Sequence, residues 1–192
     1  MWTFSQLTKE EERLRFRFIM EMGLKWSGMI RVFDEGSKEK LYERIRDDFA
    51  EKLFNVESRE EYVKIHTDFC NWGTRNIDQN RRLQKDKASY GQIAKTLDVT
   101  LKVAVYYCHL PDCEQSKRIC GWLNAAVDTA MMRELKKDFP HAMPAWPSLI
   151  KDVNKEAYYK IQDLVRESIK REHNKAITCP QWEDIHWVEA NE

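Results

Sequence analysis

Apolar residues recur at four-residue steps along most of this chain. The first series is Leu14, Phe18, Met22 and Trp26, and comparable series run through residues 41–53, 62–72, 112–139 and 154–174. Residues four apart lie on the same side of an α-helix, so each series predicts an amphipathic helix whose apolar side faces a core. Capping-box pairs, Thr8 with Glu11 and Ser58 with Glu61, mark two of the helix starts.

The spacing and the small number of chain-breaking residues predict an all-α fold. Only 6 Gly and 5 Pro occur in 192 residues, too few for a fold built from many strands and tight turns. We expect one compact domain over residues 1–192 with about six helices, and a candidate short strand at residues 29–33. A Pro-rich connector at 140–147 precedes the last long helix. The tail, residues 176–192, carries four acids and two Trp and is expected to dock on the body.

Residues 89–107 have the spacing of a helix-turn-helix pair. Small Ala94 permits close helix packing, Leu97 and Val99 provide core contacts, and Asp98 fits a turn between two short helices. Base-reading helices expose polar side chains, whereas the predicted second helix offers only Thr100 and Lys102 among apolar neighbours. An ordinary pair of core helices therefore stays open as the alternative to a DNA-reading element.

A basic segment, residues 74–87, lies directly before this pair. It carries five basic side chains against two acids, although the whole chain is balanced at 32 of each sign. Basic side chains grip phosphates without reading sequence, and a balanced chain must use such a local patch. The candidate nucleic-acid contacts are Arg75, Arg81, Arg82, Lys85, Lys87, Lys95, Thr100 and Lys102.

A candidate buried polar site comprises Asn124, Asp128 and His66. Asn124 and Asp128 stand one turn apart within an apolar stretch of the predicted helix 112–139, and a buried carboxylate must find a partner or become neutral. The alternative is that both face outward or cap a neighbouring element. His66 and Cys70 also lie one turn apart, a spacing that favours a packed histidine over a Cys–His nucleophile.

Metal and cofactor motifs are not evident in the sequence. Cys108, His109 and Cys113 lie close together, but structural zinc sites need a second ligand pair that the chain does not offer. We find no Gly-rich phosphate loop, no serine elbow and no HExxH motif, and so expect no cofactor and no bound metal. Five Cys without a leading apolar signal segment indicate reduced thiols and a cytoplasmic location, and no apolar run is long enough to span a membrane.

Three functions are therefore considered. The first is a small helical protein that binds DNA or RNA without sequence specificity through residues 74–87. The second is a helical interaction module that binds another protein or a second copy of itself, without catalytic activity. The third is an enzyme with an acidic site at Asp128.

Overall fold

The computed structural model describes residues 7–80, 86–172 and 176–189, and most of these residues are helical. Eight helices result when uninterrupted π-helical turns are counted with the α-helices they extend. They are α1, Lys9–Trp26; α2, which runs through Ser37–Arg44, Ile45–Phe49 and Ala50–Asn55; α3, Arg59–Asn76; α4, which runs through Tyr90–Leu101 and Lys102–Tyr107; α5, Cys113–Cys120; α6, Thr129–Asp138; α7, Lys155–Glu172; and α8, Cys179–Glu189. The all-α class is confirmed, and the predicted number of about six helices was too low.

The first helix begins where the capping box predicted. The Thr8 hydroxyl accepts a hydrogen bond from the backbone N–H of Glu11, and the Glu11 carboxylate accepts one from the backbone N–H of Thr8 at 2.7 Å. Ser89 and Gln92 form a second capping box at the start of α4. Such boxes satisfy backbone donors that a helix start leaves without partners.

Helix α4 is the centre of the core, and the predicted helix-turn-helix pair at 89–107 was wrong. The helix continues through Asp98 without a turn, and ten of the twelve residues in Tyr90–Leu101 are buried. α1 packs against α4 so closely that a Cβ on Gly23 would stand 2.7 Å from the Thr100 Cα. Asp98 indicated a turn because it is polar. Its carboxylate is hydrogen-bonded to side chains in the core, and the helix is therefore continuous at this residue.

Three of the four residues in the apolar series of α1 do not pack into this core, and the fourth, Met22, is partly buried against it. Leu14, Phe18 and Trp26 are 50%, 68% and 60% exposed, whereas Ile19 and Leu24 are buried. The prediction that the four-residue series points inward was therefore wrong for this helix. The body instead contacts the side of α1 that carries Gly23, because only a small residue permits that close approach to α4.

The predicted helix 112–139 is two helices, α5 and α6, separated by a non-helical segment at residues 121–128 that begins with a turn. Buried side chains supply the hydrogen bonds that a helix would otherwise provide. Gln162 pairs with both the N–H and the C=O of Ala125, at 3.0 and 2.8 Å, and Glu183 accepts the N–H of Ala126 at 2.8 Å. The buried backbone groups are thereby satisfied without a helix.

The candidate strand at residues 29–33 is a 3-10 turn, Met29–Val32, and no strand occurs in the described ranges. Phe33 forms one isolated bridge to Gln79. The described parts of the basic segment 74–87 are held against the body: Ile77 and Gln79 are buried, and the N–H of Gln79 donates to the C=O of Asp86 at 2.7 Å. Residues 81–85 lie outside the described residues.

The tail docks as α8, with Trp182 buried and its indole N–H donating to the Ser168 hydroxyl at 3.1 Å. Trp187, the second Trp of the tail, is 56% exposed. None of the described helices combines the length and the apolar composition needed to cross a membrane.

Candidate functional site

The candidate nucleic-acid contacts do not form one surface among the described residues. Thr100 has no exposed surface and donates its hydroxyl to the C=O of Thr96, so the expectation that it reaches a nucleic acid does not fit its position. Lys102 is buried and pairs with Glu183 at 2.8 Å and Asp184 at 2.5 Å. The charge of Lys102 is thus neutralised inside the protein rather than offered to phosphates.

The other basic side chains of this set are dispersed. Arg75 is exposed near the end of α3, Lys87 pairs with Asp78 at 2.8 Å, and Lys95 is half-buried beside Trp26. Arg81, Arg82 and Lys85 lie outside the described residues. Nucleic-acid binding through residues 74–87 therefore stays a prediction. It depends mainly on those three side chains and on Arg75.

A buried hydrogen-bond network converges on the Asp98 carboxylate. The His66 Nε2 lies 3.0 Å from Asp98 Oδ1, and the Tyr158 hydroxyl donates to Asp98 Oδ2 at 2.6 Å. The Asn124 amide donates to the Tyr158 hydroxyl at 2.9 Å, and Arg166 donates to the Asn124 carbonyl oxygen at 2.7 Å. The donors run in one direction, from the Arg166 guanidinium through Asn124 and Tyr158 to the Asp98 carboxylate.

Opposing influences act on the protonation of His66. Burial lowers the pKa of His66, but its interactions with Cys70 and Asp98, including hydrogen bonds to both, raise that pKa by more. The net result is a pKa of His66 well above the ordinary value of 6.5. His66 is therefore the cation that balances Asp98 in the core. Burial is also the leading cause of the raised pKa of Tyr158, with the Asp98 charge second.

The order Cys70, His66, Asp98 has the connectivity of a nucleophile, a base and an orienting acid. The Cys70 Sγ lies 3.8 Å from His66 Nδ1. Cys70 and His66 have no exposed surface and Asp98 is 2% exposed, so a substrate cannot reach the sulfur while the core is closed. The raised pKa of His66 also opposes a role as general base at neutral pH. The geometry is that of a packed histidine.

The three residues of the predicted polar site separate into two places. His66 and Asn124 meet through Tyr158, as described above. Asp128 is half-buried elsewhere and caps α6 by accepting the N–H of Met131 at 2.8 Å. This position matches the capping alternative for Asp128, and an enzyme site there stays a prediction. Sequence reasoning missed Asp98 and Arg166; the signal for Asp98 was a lone carboxylate in an apolar helix.

An exposed apolar surface joins α1 and α8. Trp26 and Trp187 line one cleft of about 410 Å³, together with Tyr107 and with Lys95 and Asp128. Phe18 is also exposed on α1, at 68%, and Val188 is 49% exposed on α8. Exposed aromatic residues that cluster in this way are typical of surfaces that bind another protein.

Three comparisons were made with known proteins. No family model, no curated protein and no solved structure matches this chain.

Proposed function

We propose that this protein is a helical interaction module and that its partner is a second copy of the same chain, bound through the outer side of α1. The outer side of α1 is the side that faces away from α4. Phe18 is its most exposed large apolar residue, and its members are Glu11, Leu14, Arg15, Phe18, Glu21 and Lys25, with Met22 at its edge, where it packs partly against the core.

The direction of this surface supports binding rather than incomplete packing. Successive helical residues are rotated by about 100°, which places Phe18 about 140° from Gly23, the residue in contact with α4. Phe18 therefore points into solvent and cannot reach the body by a small rotation of its side chain. Leu14 lies one turn before Phe18 on the same side and is also half exposed.

The outer side of α1 is complementary to itself when two copies run antiparallel. If two Phe18 side chains meet on a two-fold axis, residues at equal distances before and after Phe18 lie opposite each other. Leu14 then faces Met22, four residues away in each direction. A two-fold arrangement repeats each such pair twice, which is the usual form of a homodimer interface.

The charges follow the same symmetry. Glu11 and Lys25 are each seven residues from Phe18, and Arg15 and Glu21 are each three. Both pairs join opposite charges, but Glu21 already pairs with Arg17 and Lys38 of its own chain, so the argument from charge rests on Glu11 and Lys25. Lys25 has no ion-pair partner among the described residues of its own chain, so it is available to the other copy. This complementarity favours a second copy over an unrelated protein.

The interface would be modest in size, because one helix of 18 residues provides most of it. Interfaces below about 1,200 Å² of total buried area are usually weak or transient. We expect reversible association with a dissociation constant on the order of micromolar.

Disulfide trapping tests both the association and its direction. In the antiparallel arrangement Phe18→Cys places two thiols at the two-fold axis, whereas Leu14→Cys places them several residues apart. We expect Phe18→Cys to form a covalent dimer under mild oxidation and Leu14→Cys to form much less, because a disulfide needs Cα atoms within about 7 Å. Non-reducing gel electrophoresis measures both, with the wild-type chain as the background for its exposed Cys113.

A second measurement tests self-association of the wild-type chain, without an introduced cysteine. Sedimentation equilibrium should show a monomer–dimer equilibrium for the wild-type chain. Lys25→Glu should weaken the dimer, because a carboxylate at position 25 of one copy would then lie opposite Glu11 of the other. The matched control is Leu149→Ser, which changes a similarly exposed apolar residue outside this surface. A wild-type chain that stays monomeric at several hundred micromolar, or equal trapping of both cysteine variants, would overturn the proposal.

A further inference from the structure

A second surface, distant in sequence from the outer side of α1, has the character of a ligand site. It is a cleft of about 810 Å³ between the start of α3, the end of α5, the C-terminal half of α7 and the start of α8. Its lining residues are Arg59, Gly121, Arg166, Glu167, Ile169, Lys170, Ala176, Ile177, Thr178 and Cys179. We call it the Arg166 cleft. Its volume is within the usual range for sites that bind small molecules, about 300–1,000 Å³.

The Arg166 cleft carries an excess of positive charge. Among the described residues that line it, Arg59, Arg166 and Lys170 are cations and Glu167 is the one acid. None of the three cations has an ion-pair partner in the described part of the chain, unlike Arg44 and Lys52, which share Asp48. Cations gathered in a concave site without counter-charges favour an anionic ligand.

Arg166 is the best-positioned of the three. It is half-buried, and its two hydrogen bonds go to neutral oxygens, the C=O of Gln162 at 3.0 Å and the Asn124 side chain at 2.7 Å. A guanidinium has five N–H donors in a fixed plane, so these bonds fix its orientation and leave further donors for a ligand. Lys170 lies one turn later on the same side of α7.

The pKa of the Cys179 thiol reflects the charges around the cleft. Burial raises the pKa of Cys179, while the charges of Arg166 and Arg59 act in the opposite direction. Arg59 of α3 and Arg166 of α7 belong to different helices, and both line the cleft together with Cys179.

We propose that the Arg166 cleft binds a small organic phosphate. Three cations and one carboxylate leave a net charge of about +2, which a phosphomonoester dianion balances at neutral pH. Arginine binds phosphate oxygens through two parallel N–H donors. Ile169 and Ile177 provide an apolar wall beside the cations, which suits the organic part of such a ligand.

The binding test compares probes of one shape and different charge at pH 7.5 and constant ionic strength. Phenyl phosphate combines a dianion with an apolar ring, phenyl sulfate has nearly the same shape with one negative charge, and inorganic phosphate lacks the ring. We expect isothermal titration calorimetry to show phenyl phosphate binding about tenfold more tightly than either of the other two. Equal affinity for phenyl phosphate and phenyl sulfate, or no binding of phenyl phosphate up to about 10 mM, would overturn the proposal.

Substitutions of residues that line the cleft test whether phenyl phosphate binds there. The double substitution Arg59→Ala, Lys170→Ala removes two exposed cations without ion-pair partners, so the fold should be retained, and affinity for phenyl phosphate should fall about tenfold. Lys64→Ala is the matched control, since Lys64 is an exposed base of α3 that does not line the cleft. Loss of affinity in the control to the same degree would show non-specific attraction only. This proposal stands apart from dimer formation, because the cleft contains no residue of α1.

Discussion

Helices α1 and α4 both differ from what their sequences predict, in opposite ways. The apolar series of α1 predicts a side that faces the core, yet Phe18 is exposed; residues 89–107 predict two short helices with a turn at Asp98, yet they form one helix in which ten of the twelve residues Tyr90–Leu101 are buried. An apolar series shows that a helix has an apolar side but not which neighbour covers that side. Between these two helices the decisive feature is the close approach at Gly23 and Thr100.

The polar residues of α4 explain how it can be buried on nearly all sides. Thr96 donates its hydroxyl to the C=O of Gln92 at 2.8 Å, and Thr100 donates to the C=O of Thr96 at 2.7 Å. Asp98 receives donors from Tyr158 and His66. Buried polar groups cost little when each has a partner, so a helix with several polar residues can still occupy a core.

The largest expected effect on the α4 side follows from Asp98→Asn. An amide cannot accept the donors of both Tyr158 and His66, and it leaves His66 without its buried counter-charge. Breaking a buried charge pair by removing one member costs about 3–5 kcal/mol, and we expect a loss of unfolding free energy in this range. Urea denaturation at pH 6 measures the loss.

Asp163→Asn is the control, because Asp163 is exposed on α7 and should change the unfolding free energy by less than about 0.5 kcal/mol. A loss below about 1 kcal/mol for Asp98→Asn would show that the network around Asp98 contributes little to the core.

A smaller effect is expected at the contact between the two helices. Gly23→Ala places a Cβ 2.7 Å from the Thr100 Cα, so the backbones of α1 and α4 must move apart. Overpacking costs about 1–3 kcal/mol, partly offset by the better helix propensity of Ala, and we expect a net loss of about 1–2 kcal/mol in denaturant unfolding.

Gly121→Ala provides the contrast, since its nearest neighbour would be 3.5 Å away and its φ of −64° suits any residue. That substitution should be neutral or slightly stabilising. If Gly23→Ala were equally harmless, the close packing of α1 on α4 would not explain why Phe18 faces outward.

Local signals predicted the helical class and several helix starts, because capping boxes such as Thr8 with Glu11 act within one turn. Hydrogen bonds between residues that are distant in sequence determine the parts of the fold that the sequence did not predict. Residues 123–128 are non-helical, and Gln162 and Glu183, distant in sequence, supply hydrogen bonds to Ala125 and Ala126 within them. The same limit applies to the sites: the cations of the Arg166 cleft come from separate helices, so no local pattern joins them.

The smallest effect on stability is expected for the most exposed aromatic residue of α1. Phe18 is 68% exposed, so Phe18→Ala removes little buried apolar area and should change the unfolding free energy of the monomer by less than about 0.5 kcal/mol. The neighbouring Ile19→Ala is the matched control, because Ile19 is buried and should cost about 2–4 kcal/mol.

Varying the protein concentration distinguishes packing of Phe18 within its own chain from its contact with a second copy. Binding of a second copy stabilises the folded state only when the concentration exceeds the dissociation constant. Wild type and Phe18→Ala should therefore unfold alike at about 1 μM, where the monomer dominates, and should diverge as the concentration rises. A large cost for Phe18→Ala that is the same at all concentrations would mean that Phe18 packs against its own chain, and the contrast between α1 and α4 would then fail at the residue that best defines it.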